Sequence, residues 1–172
     1  MKIKEIEIND LFTIGIQVLD SKTFSDSRGS LNVVFEDYEI FNTKISMKRS
    51  YSKQGVARGL HWQKLTKPQE KLISVRSGKI LDFILDMTIS DGTLYYFELD
   101  QNLGDFIRIP SRFAHGFIAL EETNFEYLCM GEYSEDHECT INVLPSAAKV
   151  ILGTTIDLSP KDQKNPEVTL EF

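Results

Sequence analysis

Short runs of β-branched and aromatic residues recur along the chain, and this pattern constrains the fold more than any other feature of the sequence. Turn residues separate the runs, among them Ser77-Gly78, Asp91-Gly92, Gly104-Asp105 and Pro145. The runs predict strands over residues 31–35, 44–49, 71–75, 79–86, 93–99, 106–109, 125–130, 140–143 and 149–151. Many short strands with closely spaced turns are typical of an all-β sandwich or barrel.

The predicted strand over residues 79–86 has a clear two-residue period. Leu81, Phe83 and Leu85 share one face, whereas Asp82 lies on the other face among isoleucines. Asp82 therefore points either into a partly polar cavity or, on an outer strand, into solvent, and the pattern favours neither position.

One helix start is predicted near the C-terminus. Ser159, Pro160 and Asp162 supply an N-cap, a proline at the first helical position and an acid in the first turn. We expect only a short peripheral helix there, because the tail from Asp157 onward is polar and suggests loose structure.

Length and charge exclude several classes of protein. With 172 residues the chain can bury one substantial core, so we expect a single domain over residues 1–172. A net charge of −7 disfavours a nucleic-acid surface. No segment approaches the ~18 consecutive apolar residues of a membrane span. Any anionic ligand must be held by a local basic pocket, for which Arg58, Lys71 and either Lys48 or Arg49 are candidates.

Two features indicate the cellular compartment. Residues 1–7 alternate in charge and lack the apolar core of a signal peptide. Cys129 and Cys139 are too few for a disulfide framework or a cysteine-built zinc site. We therefore expect a cytoplasmic protein with reduced cysteines.

The spacing of two histidines resembles the two-part motif of the cupin superfamily. Gln63 stands where a second metal-binding histidine is expected, and the positions that match the motif are Gly55, His61, Glu70 and Gly78, then Gly104, Pro110 and His115. This resemblance implies an all-β, cupin-type jelly-roll β-barrel with a few short peripheral helices. An amide is a poor ligand for first-row metals. We therefore expect a metal-free, cofactor-free site in which histidine acts as a hydrogen-bonding or acid–base group.

Histidines also have ordinary structural roles. His115 is equally suited to bonding a backbone carbonyl, and His137 lies in a polar run where solvation is expected.

A series of short motifs in a fixed order resembles the nucleotide-sugar 3,5-epimerases typified by dTDP-4-dehydrorhamnose 3,5-epimerase. The motifs are Asp26-x-Arg28-Gly29, Arg58-Gly59-Leu60-His61-Trp62-Gln63, Gln69-x-Lys71-Leu72, Gly78-Lys79-Ile80-Leu81-Asp82, residues 109–117, Glu132-Tyr133-Ser134 and Leu158-Ser159-Pro160-Lys161-Asp162. The resemblance extends from Asp26 to Asp162 and so includes most of the chain.

This resemblance implies a role for each matching residue. His61 would remove a proton from a carbon next to the C4 ketone of the sugar, and Asp162 would orient and charge the imidazole. Lys71 would stabilise the enolate oxygen, and Tyr133 would return a proton on the opposite face of the ring. The implied substrate-binding residues are Arg58, which would hold the pyrophosphate, with Arg28, Gln63, His115, Lys48 and Asp82.

The residue types also suit the chemistry on physical grounds. Imidazole cannot deprotonate a carbon next to a ketone unless a positioned donor meets the developing oxyanion, an effect worth about 3 to 4 kcal/mol. Inversion also needs a second acid across the ring. Each residue has a simpler explanation too: Asp162 as a helix-dipole acid, Tyr133 as a core aromatic and Lys71 as a surface lysine.

The chain departs from the family pattern where the nucleotide binds. The family usually has an aromatic residue and a glutamate where this chain has Leu31 and Val33, and a glutamine and an asparagine where it has Ser46 and Lys48. Altered hydrogen-bonding groups change which base fits. The expected substrate is therefore a nucleoside-diphosphate 4-keto-6-deoxy sugar, with dTDP the default and GDP or CDP the alternatives.

The functional prediction is an isomerase that inverts C3, C5 or both, for the synthesis of surface-polysaccharide sugars. Two alternatives stay open: a metal-dependent cupin isomerase or oxygenase that uses His61, His115 and Glu70, and a sugar-nucleotide-binding module without catalysis. The resemblance also implies a homodimer that exchanges an N-terminal strand.

Overall fold

Strands dominate the computed structural model, which describes residues 1–19, 21–33, 43–90, 92–103 and 105–170. Within these ranges the chain forms one α-helix, α1 (Leu144–Ile151), and fourteen strands: β1 (Lys2–Glu5), β2 (Gln17–Leu19), β3 (Lys22–Asp26), β4 (Gly29–Val33), β5 (Ile45–Ser52), β6 (Val56–Gln63), β7 (Glu70–Ser77), β8 (Lys79–Asp86), β9 (Thr93–Asp100), β10 (Phe106–Ile109), β11 (Phe113–Ala119), β12 (Thr123–Met130), β13 (Glu138–Thr140) and β14 (Asp157–Leu158). Short 3-10 helices lie at Ile8–Ile14, Glu135–His137 and Asp162–Lys164.

Two sheets contain most of these strands. The larger sheet has the order β1-β9-β8-β11-β6-β13, with β14 also paired to β6. The smaller sheet has the order β2-β10-β7-β12-β5, and β3 and β4 form a separate hairpin. This arrangement confirms the all-β jelly-roll prediction.

The main core lies between the two sheets. Ile80 and Ile84 of β8 meet Ile73 of β7 and Phe125 of β12 in one buried cluster. The opposite face of β8 carries Leu81, Phe83 and Leu85, which pack in a second cluster with Leu144, Ala147 and Ala148 of α1. The two-residue period predicted for this strand is confirmed. Asp82 lies on the inner face and is fully buried, so the solvent-facing alternative is wrong.

Helix α1 replaces a predicted strand. Residues 149–151 form its last turn, and Pro145 lies in its first turn instead of in a connecting loop. Proline suits this position because its missing N–H has no helical partner there. The buried residues Leu144, Ala147 and Ala148 have the three- and four-residue spacing of an apolar helical face. A segment of eight residues is too short for this spacing to distinguish a helix from a strand.

The C-terminal prediction was correct only in part. A helix follows Ser159, but it is the three-residue 3-10 helix Asp162–Lys164. The Asp162 N–H donates to Ser159 Oγ at 3.1 Å, as expected for a capping serine. The tail beyond this helix is not loose. Glu167 forms a β-bridge with Asn142, and Leu170 is buried in the second cluster, with Leu81, Phe83 and Leu85.

The other predicted strands are present in the structure and differ only in where they begin and end. The exception is the strand predicted over residues 140–143, of which only Thr140 lies in β13. The strand predicted over residues 31–35 is present as far as Val33 in β4, whereas Phe35 and the predicted turn residues Asp91 and Gly104 lie outside the described ranges. Strands β1, β2, β3, β6, β11 and β14 were not predicted. Among the described residues, no helix is both long enough and apolar enough to cross a membrane.

Candidate active site

A cleft opens between the two sheets and consists of two adjoining hollows of about 100 and 280 Å³. His61, Lys71, Tyr127 and Glu138 line both hollows. The larger sheet supplies His61 from β6, and the smaller sheet supplies Lys71 from β7 and Tyr127 from β12. The cleft therefore brings a base, a cation and aromatic groups together from strands that are distant in sequence.

Close backbone packing positions the histidines. His61 of β6 pairs in register with His115 of β11. Gly59 has φ +101°, and a Cβ at this position would lie 2.6 Å from the carbonyl oxygen of His115. Glycine is required here because a side chain would push the two strands apart.

His61 forms a hydrogen-bonded pair with Asp162. Strand β14 runs parallel to β6 and brings the turn that follows it next to His61. The distance from His61 Nε2 to Asp162 Oδ1 is 2.6 Å, and Ser159 Oγ donates to the other carboxylate oxygen at 2.9 Å. Burial alone would raise the pKa of Asp162, but the hydrogen bonds from His61 and Ser159 outweigh it and hold the pKa below its ordinary value. The ionised carboxylate favours the His61 tautomer with the proton on Nε2, which leaves Nδ1 as the basic nitrogen.

Lys71 extends into the cleft beside His61. Its ammonium group donates to the backbone carbonyl of His61 at 3.0 Å. Burial lowers the pKa of Lys71, and the nearby carboxylates of Asp82 and Glu138 oppose this effect. The predicted alternative of a surface strand lysine is therefore wrong.

His115 and Asp82 form a second, more deeply buried pair. His115 Nε2 lies 2.8 Å from Asp82 Oδ2, so its partner is a carboxylate and not a backbone carbonyl. Burial raises the pKa of Asp82, whereas His115 and Lys71 act in the opposite direction. The His115 ring also stacks on Phe125, with centroids 6.1 Å apart. His115 lines the larger hollow, with Asp82 behind it.

Tyr133 lies at the rim of the smaller hollow, in the segment after β12. Its hydroxyl donates to Glu138 Oε2 at 2.8 Å, and this hydrogen bond raises the pKa of the phenol. Half of the side chain is exposed, so Tyr133 is not a core aromatic.

Gln63 holds the segment that carries Tyr133. Its amide nitrogen donates to the carbonyls of Lys67 and Glu132 at 2.8 and 3.0 Å. Its amide oxygen accepts from the Ser134 N–H at 2.7 Å. The side chain borders the cleft, but these backbone contacts occupy the amide, which fits a supporting role better than the direct substrate contact we predicted.

Lys48 and Arg58 approach the cleft from β5 and β6. The Lys48 ammonium lies 5.7 Å from the centroid of the Tyr127 ring and 5.5 Å from that of Tyr133. Arg58 donates through Nε to Ser52 Oγ at 3.0 Å and borders the larger hollow. The predicted basic pocket is therefore assembled, and the cations counter the negative net charge of the chain locally.

Arg28 is the one predicted site residue that lies away from the cleft. It is exposed on the turn between β3 and β4, where it pairs with Asp26 at 2.6 Å. Phe24 and Leu31 of this hairpin are also exposed, at 60% and 66%. Within one chain, the hairpin does not deliver Arg28 to the substrate site.

Among the other residues that line the cleft, Glu138, Lys161 and Tyr127 also carry polar groups suited to chemistry and were not predicted. Lys161 is part of the quoted C-terminal motif and precedes Asp162, which was the available signal. Tyr127 shares the inner face of β12 with Phe125 by strand alternation. Glu138 ends the polar run in which solvation was expected for His137, but the Glu138 side chain is only 16% exposed.

The metal set of the alternative prediction is not assembled. Glu70 forms an ion pair with Arg108, and its side chain faces the opposite side of β7 from Lys71. Both histidines engage carboxylates through Nε2. Among the described residues, no group of three or more His, Cys, Asp or Glu side chains has the arrangement of a metal site.

Comparisons with known proteins show the family to which the chain belongs. The family model for dTDP-4-dehydrorhamnose 3,5-epimerase matches residues 7–169. The chain belongs to the dTDP-4-dehydrorhamnose 3,5-epimerase family. The family member from Methanothermobacter thermautotrophicus is 32% identical in an alignment of 139 positions that covers 74% of this chain and 73% of the relative.

Solved structures of family members have the same fold. The dTDP-4-dehydrorhamnose 3,5-epimerase from Bacillus anthracis, with TDP and PPi bound, has a TM-score of 0.76 and 29% identity, covering 96% of this chain and 99% of that one. The epimerase from Legionella pneumophila in complex with dTDP-4-keto-L-rhamnose has a TM-score of 0.73 and 28% identity, covering 89% and 87%. This chain is accordingly an epimerase of the isomerase class.

Proposed function

We propose that this epimerase inverts C3, C5 or both in a dTDP-linked 4-keto-6-deoxy sugar, with His61, Asp162, Lys71 and Tyr133 as its catalytic residues. The observation that carries the proposal is that His61, Lys71 and Tyr133 line one hollow, with Asp162 bonded to His61 from behind. The relatives that hold TDP or dTDP-4-keto-L-rhamnose support dTDP as the nucleotide.

His61 begins the reaction as the general base. Nδ1 accepts the proton from the carbon next to the ketone, and the imidazolium is stabilised by the Asp162 carboxylate 2.6 Å from Nε2. The electrons of the broken C–H bond move into an enolate whose oxygen becomes negative. General base catalysis of this kind contributes about 10² to 10⁴ in rate.

Lys71 meets the enolate oxygen. Its ammonium is already oriented by the carbonyl of His61 and partly removed from water, so the favourable charge interaction needs little reorganisation. Each such donor lowers the activation free energy by about 3 to 4 kcal/mol.

Tyr133 completes the inversion. Its O–H bond breaks and a C–H bond forms on the face opposite to His61, leaving a phenolate. Solvent then returns a proton to the phenolate and accepts one from the imidazolium, so the enzyme recovers its starting state. A phenol with an ordinary pKa of about 10 is a competent donor to an enolate carbon.

Three of the other predicted residues lie where they can bind the substrate within one chain. Arg58 and Lys48 supply positive charge for the diphosphate from neighbouring strands. His115, held by Asp82, offers a polar group at the base of the larger hollow.

Deuterium incorporation tests the reaction. When the enzyme acts on the dTDP-4-keto-6-deoxy sugar in deuterated water, mass spectrometry and NMR should find deuterium at each epimerised carbon. His61→Asn should abolish incorporation, whereas His137→Asn, a change in a half-buried histidine bonded to Ser134, should leave it unchanged. Absence of exchange with the wild-type enzyme would refute the proposal, and exchange at one carbon would define a single-site epimerase.

Binding measurements test the nucleotide. Calorimetric titration should give tighter binding of dTDP than of GDP or CDP, and Arg58→Met should weaken the binding of all three. Equal and negligible binding of the three nucleotides would refute a nucleotide pocket. Tightest binding of GDP or CDP would instead assign the altered base site to that nucleotide.

We also propose that the protein is a homodimer in which the β3–β4 hairpin packs against the second copy and carries Arg28 to the partner cleft. The exposed Phe24 and Leu31 support this, since apolar residues at such a position need a partner. In light-scattering measurements, Phe24→Asp should yield monomers, whereas Ile89→Asp, at another exposed apolar site, should not. A monomeric wild-type protein would refute the proposal.

A further inference from the structure

Ser50 of β5 has a buried side-chain hydroxyl that finds no hydrogen-bond partner among the described residues. The residue lines the larger hollow of the cleft and lies in register with Phe125 of β12. Within the described ranges, two other buried side-chain atoms lack a partner, Oδ1 of Asp82 and Oδ1 of Asn142. Buried polar groups are nearly always hydrogen-bonded in folded proteins. An unpartnered hydroxyl in the wall of a substrate cleft therefore indicates a contact that the substrate supplies.

The groups next to Ser50 are apolar or already bonded. The rings of Phe117 and Phe125 line the same hollow with their centroids 4.7 Å apart, and neither ring carries a hydroxyl or an amine. The hydroxyl of Ser52, on the same face of β5, accepts a hydrogen bond from Arg58 Nε at 3.0 Å. A serine hydroxyl turns by rotation about one bond, so Ser50 can present its Oγ to a polar group in the hollow.

The proposed orientation of the substrate identifies the sugar group that Ser50 meets. His61 and Lys71 line both hollows and act at the C4 ketone, whereas Arg58 binds the diphosphate attached to C1. Ser50 lies on the Arg58 side of the ring, because Ser52, two residues further along the same strand face, holds the Arg58 side chain. C2 adjoins C1 and carries a hydroxyl. The C2 hydroxyl is therefore the sugar hydroxyl nearest in the covalent structure to the diphosphate.

We propose that Ser50 is a specificity-determining residue that hydrogen-bonds the C2 hydroxyl of the sugar, so that the enzyme selects 2-hydroxy over 2-deoxy sugar nucleotides. The inference rests on the proposed epimerase function and adds a substrate contact within the same cleft. Inversion at C3 or C5 leaves the configuration at C2 unchanged. The contact with Ser50 therefore persists from substrate to product and holds the ring while the groups on C3 or C5 change position.

The physical reason for the selectivity is the fate of the Ser50 hydroxyl when its partner is missing. A hydroxyl both donates and accepts, so serine is suited to another hydroxyl whichever way that group points. A 2-deoxy sugar would place a methylene group beside Ser50 and leave its Oγ unpaired next to the aromatic rings. Sites that hydrogen-bond a substrate hydroxyl reject analogues that lack it for this reason. One hydrogen bond between uncharged groups corresponds to a factor of about 2 to 10 in binding.

A pair of substrates tests the inference. The enzyme acts in deuterated water on a dTDP-4-keto-6-deoxyhexose and on its 2-deoxy analogue, and the initial rate of deuterium incorporation gives kcat/KM for each. The wild-type enzyme should prefer the 2-hydroxy substrate by about 2- to 10-fold. Ser50→Ala should lower kcat/KM for the 2-hydroxy substrate and leave the value for the 2-deoxy analogue nearly unchanged, because the analogue never makes the contact. The preference should therefore disappear.

Ser74→Ala is the matched control, since Ser74 is 1% exposed and lies on the outer face of β7, away from the cleft. This variant should keep the wild-type preference, which separates the loss of a cleft contact from the general effect of removing a buried hydroxyl. Calorimetric titration with dTDP, which has no sugar substituent on its diphosphate, should give the same affinity for wild type and Ser50→Ala. Weaker dTDP binding in Ser50→Ala would place Ser50 in the nucleotide site and overturn the inference.

The remaining outcomes are also decisive. Equal kcat/KM values for the two sugars in the wild-type enzyme, or an unchanged preference in Ser50→Ala, would overturn the inference while the epimerase function stands. Absence of deuterium exchange with either sugar in the wild type would instead refute the proposed function, and the inference with it. If Ser50→Ala does not fold, Ser50→Cys takes its place, because a thiol is similar in size to a hydroxyl but is a weak hydrogen-bonding group. Loss of the preference is again the expected result.

Discussion

Asp162→Asn removes the carboxylate behind the proposed base with almost no change in shape. The Asp162 side chain is 4% exposed and lies 2.6 Å from His61 Nε2, so the substitution alters a buried, charge-assisted hydrogen bond. The asparagine amide can donate to Nε2, which would move the imidazole proton to Nδ1 and block the nitrogen that accepts the substrate proton. We expect a large loss of kcat with substrate binding preserved.

The size of the expected fall in kcat follows from the strength of the hydrogen bond between Asp162 and His61. A charged hydrogen bond contributes about 1.5 to 3 kcal/mol, and each ~1.4 kcal/mol corresponds to a factor of ten in rate. The lost contact alone therefore predicts a fall of roughly 10- to 150-fold in kcat. The wrong tautomer adds to this and extends the loss toward the ~10⁴-fold seen when an equivalent carboxylate is replaced by an amide in a catalytic triad.

Two measurements check this prediction. The rate of deuterium incorporation reports the proton-abstraction step, and calorimetric titration with dTDP reports binding. Ser159→Ala is the companion variant, because it removes a hydrogen bond from Asp162 but keeps the carboxylate. It should cost less activity than Asp162→Asn. An Asp162→Asn enzyme within about threefold of wild-type kcat would refute the role of the carboxylate, since proton transfer depends strongly on a positioned base.

Four further outcomes are expected. Lys71→Met should lower kcat by about 10² to 10³ while dTDP binding persists in calorimetry, because it removes the oxyanion donor; unchanged kcat would refute that role. Phe83→Ala should destabilise the fold by about 3 to 5 kcal/mol in urea unfolding, because the ring is fully buried beneath α1. Gly59→Ala should reduce both stability and activity, since its Cβ would lie 2.6 Å from the His115 carbonyl. The pKa of Asp162 in the folded protein is below its ordinary value of 3.8, so the ionised carboxylate stabilises the fold fully above pH 3.8. This stabilisation is lost as the pH falls through the pKa of the folded state, so the stability difference between wild type and Asp162→Asn should shrink in acid.

Local sequence patterns predicted much of the fold. The alternation in residues 79–86 separated the two faces of β8 correctly, because a strand places successive side chains on opposite sides whatever its neighbours are. The same logic failed for α1, where a short apolar segment fits a strand or a helix equally well. Proline at its start was the signal that distinguishes them.

The candidate site was predictable where residue type and motif coincide, as for His61 and Lys71. Single-domain organisation, cytoplasmic location and the roles of the individual site residues stay predictions. Arg28 shows the opposite case: its motif marks it as a site residue, but one chain leaves it exposed on a hairpin.

The sequence by itself determined the residue types, the strand faces and the family to which the chain belongs, since these depend on short-range periodicity and on motif order. Only the tertiary structure decided which groups meet. His61 and Asp162 are 101 residues apart and become bonded because β14 pairs with β6. Glu138 and Lys161 are 23 residues apart and meet beside Tyr133 for the same reason. Strand pairing over such distances depends on the whole core and leaves no local pattern in the chain.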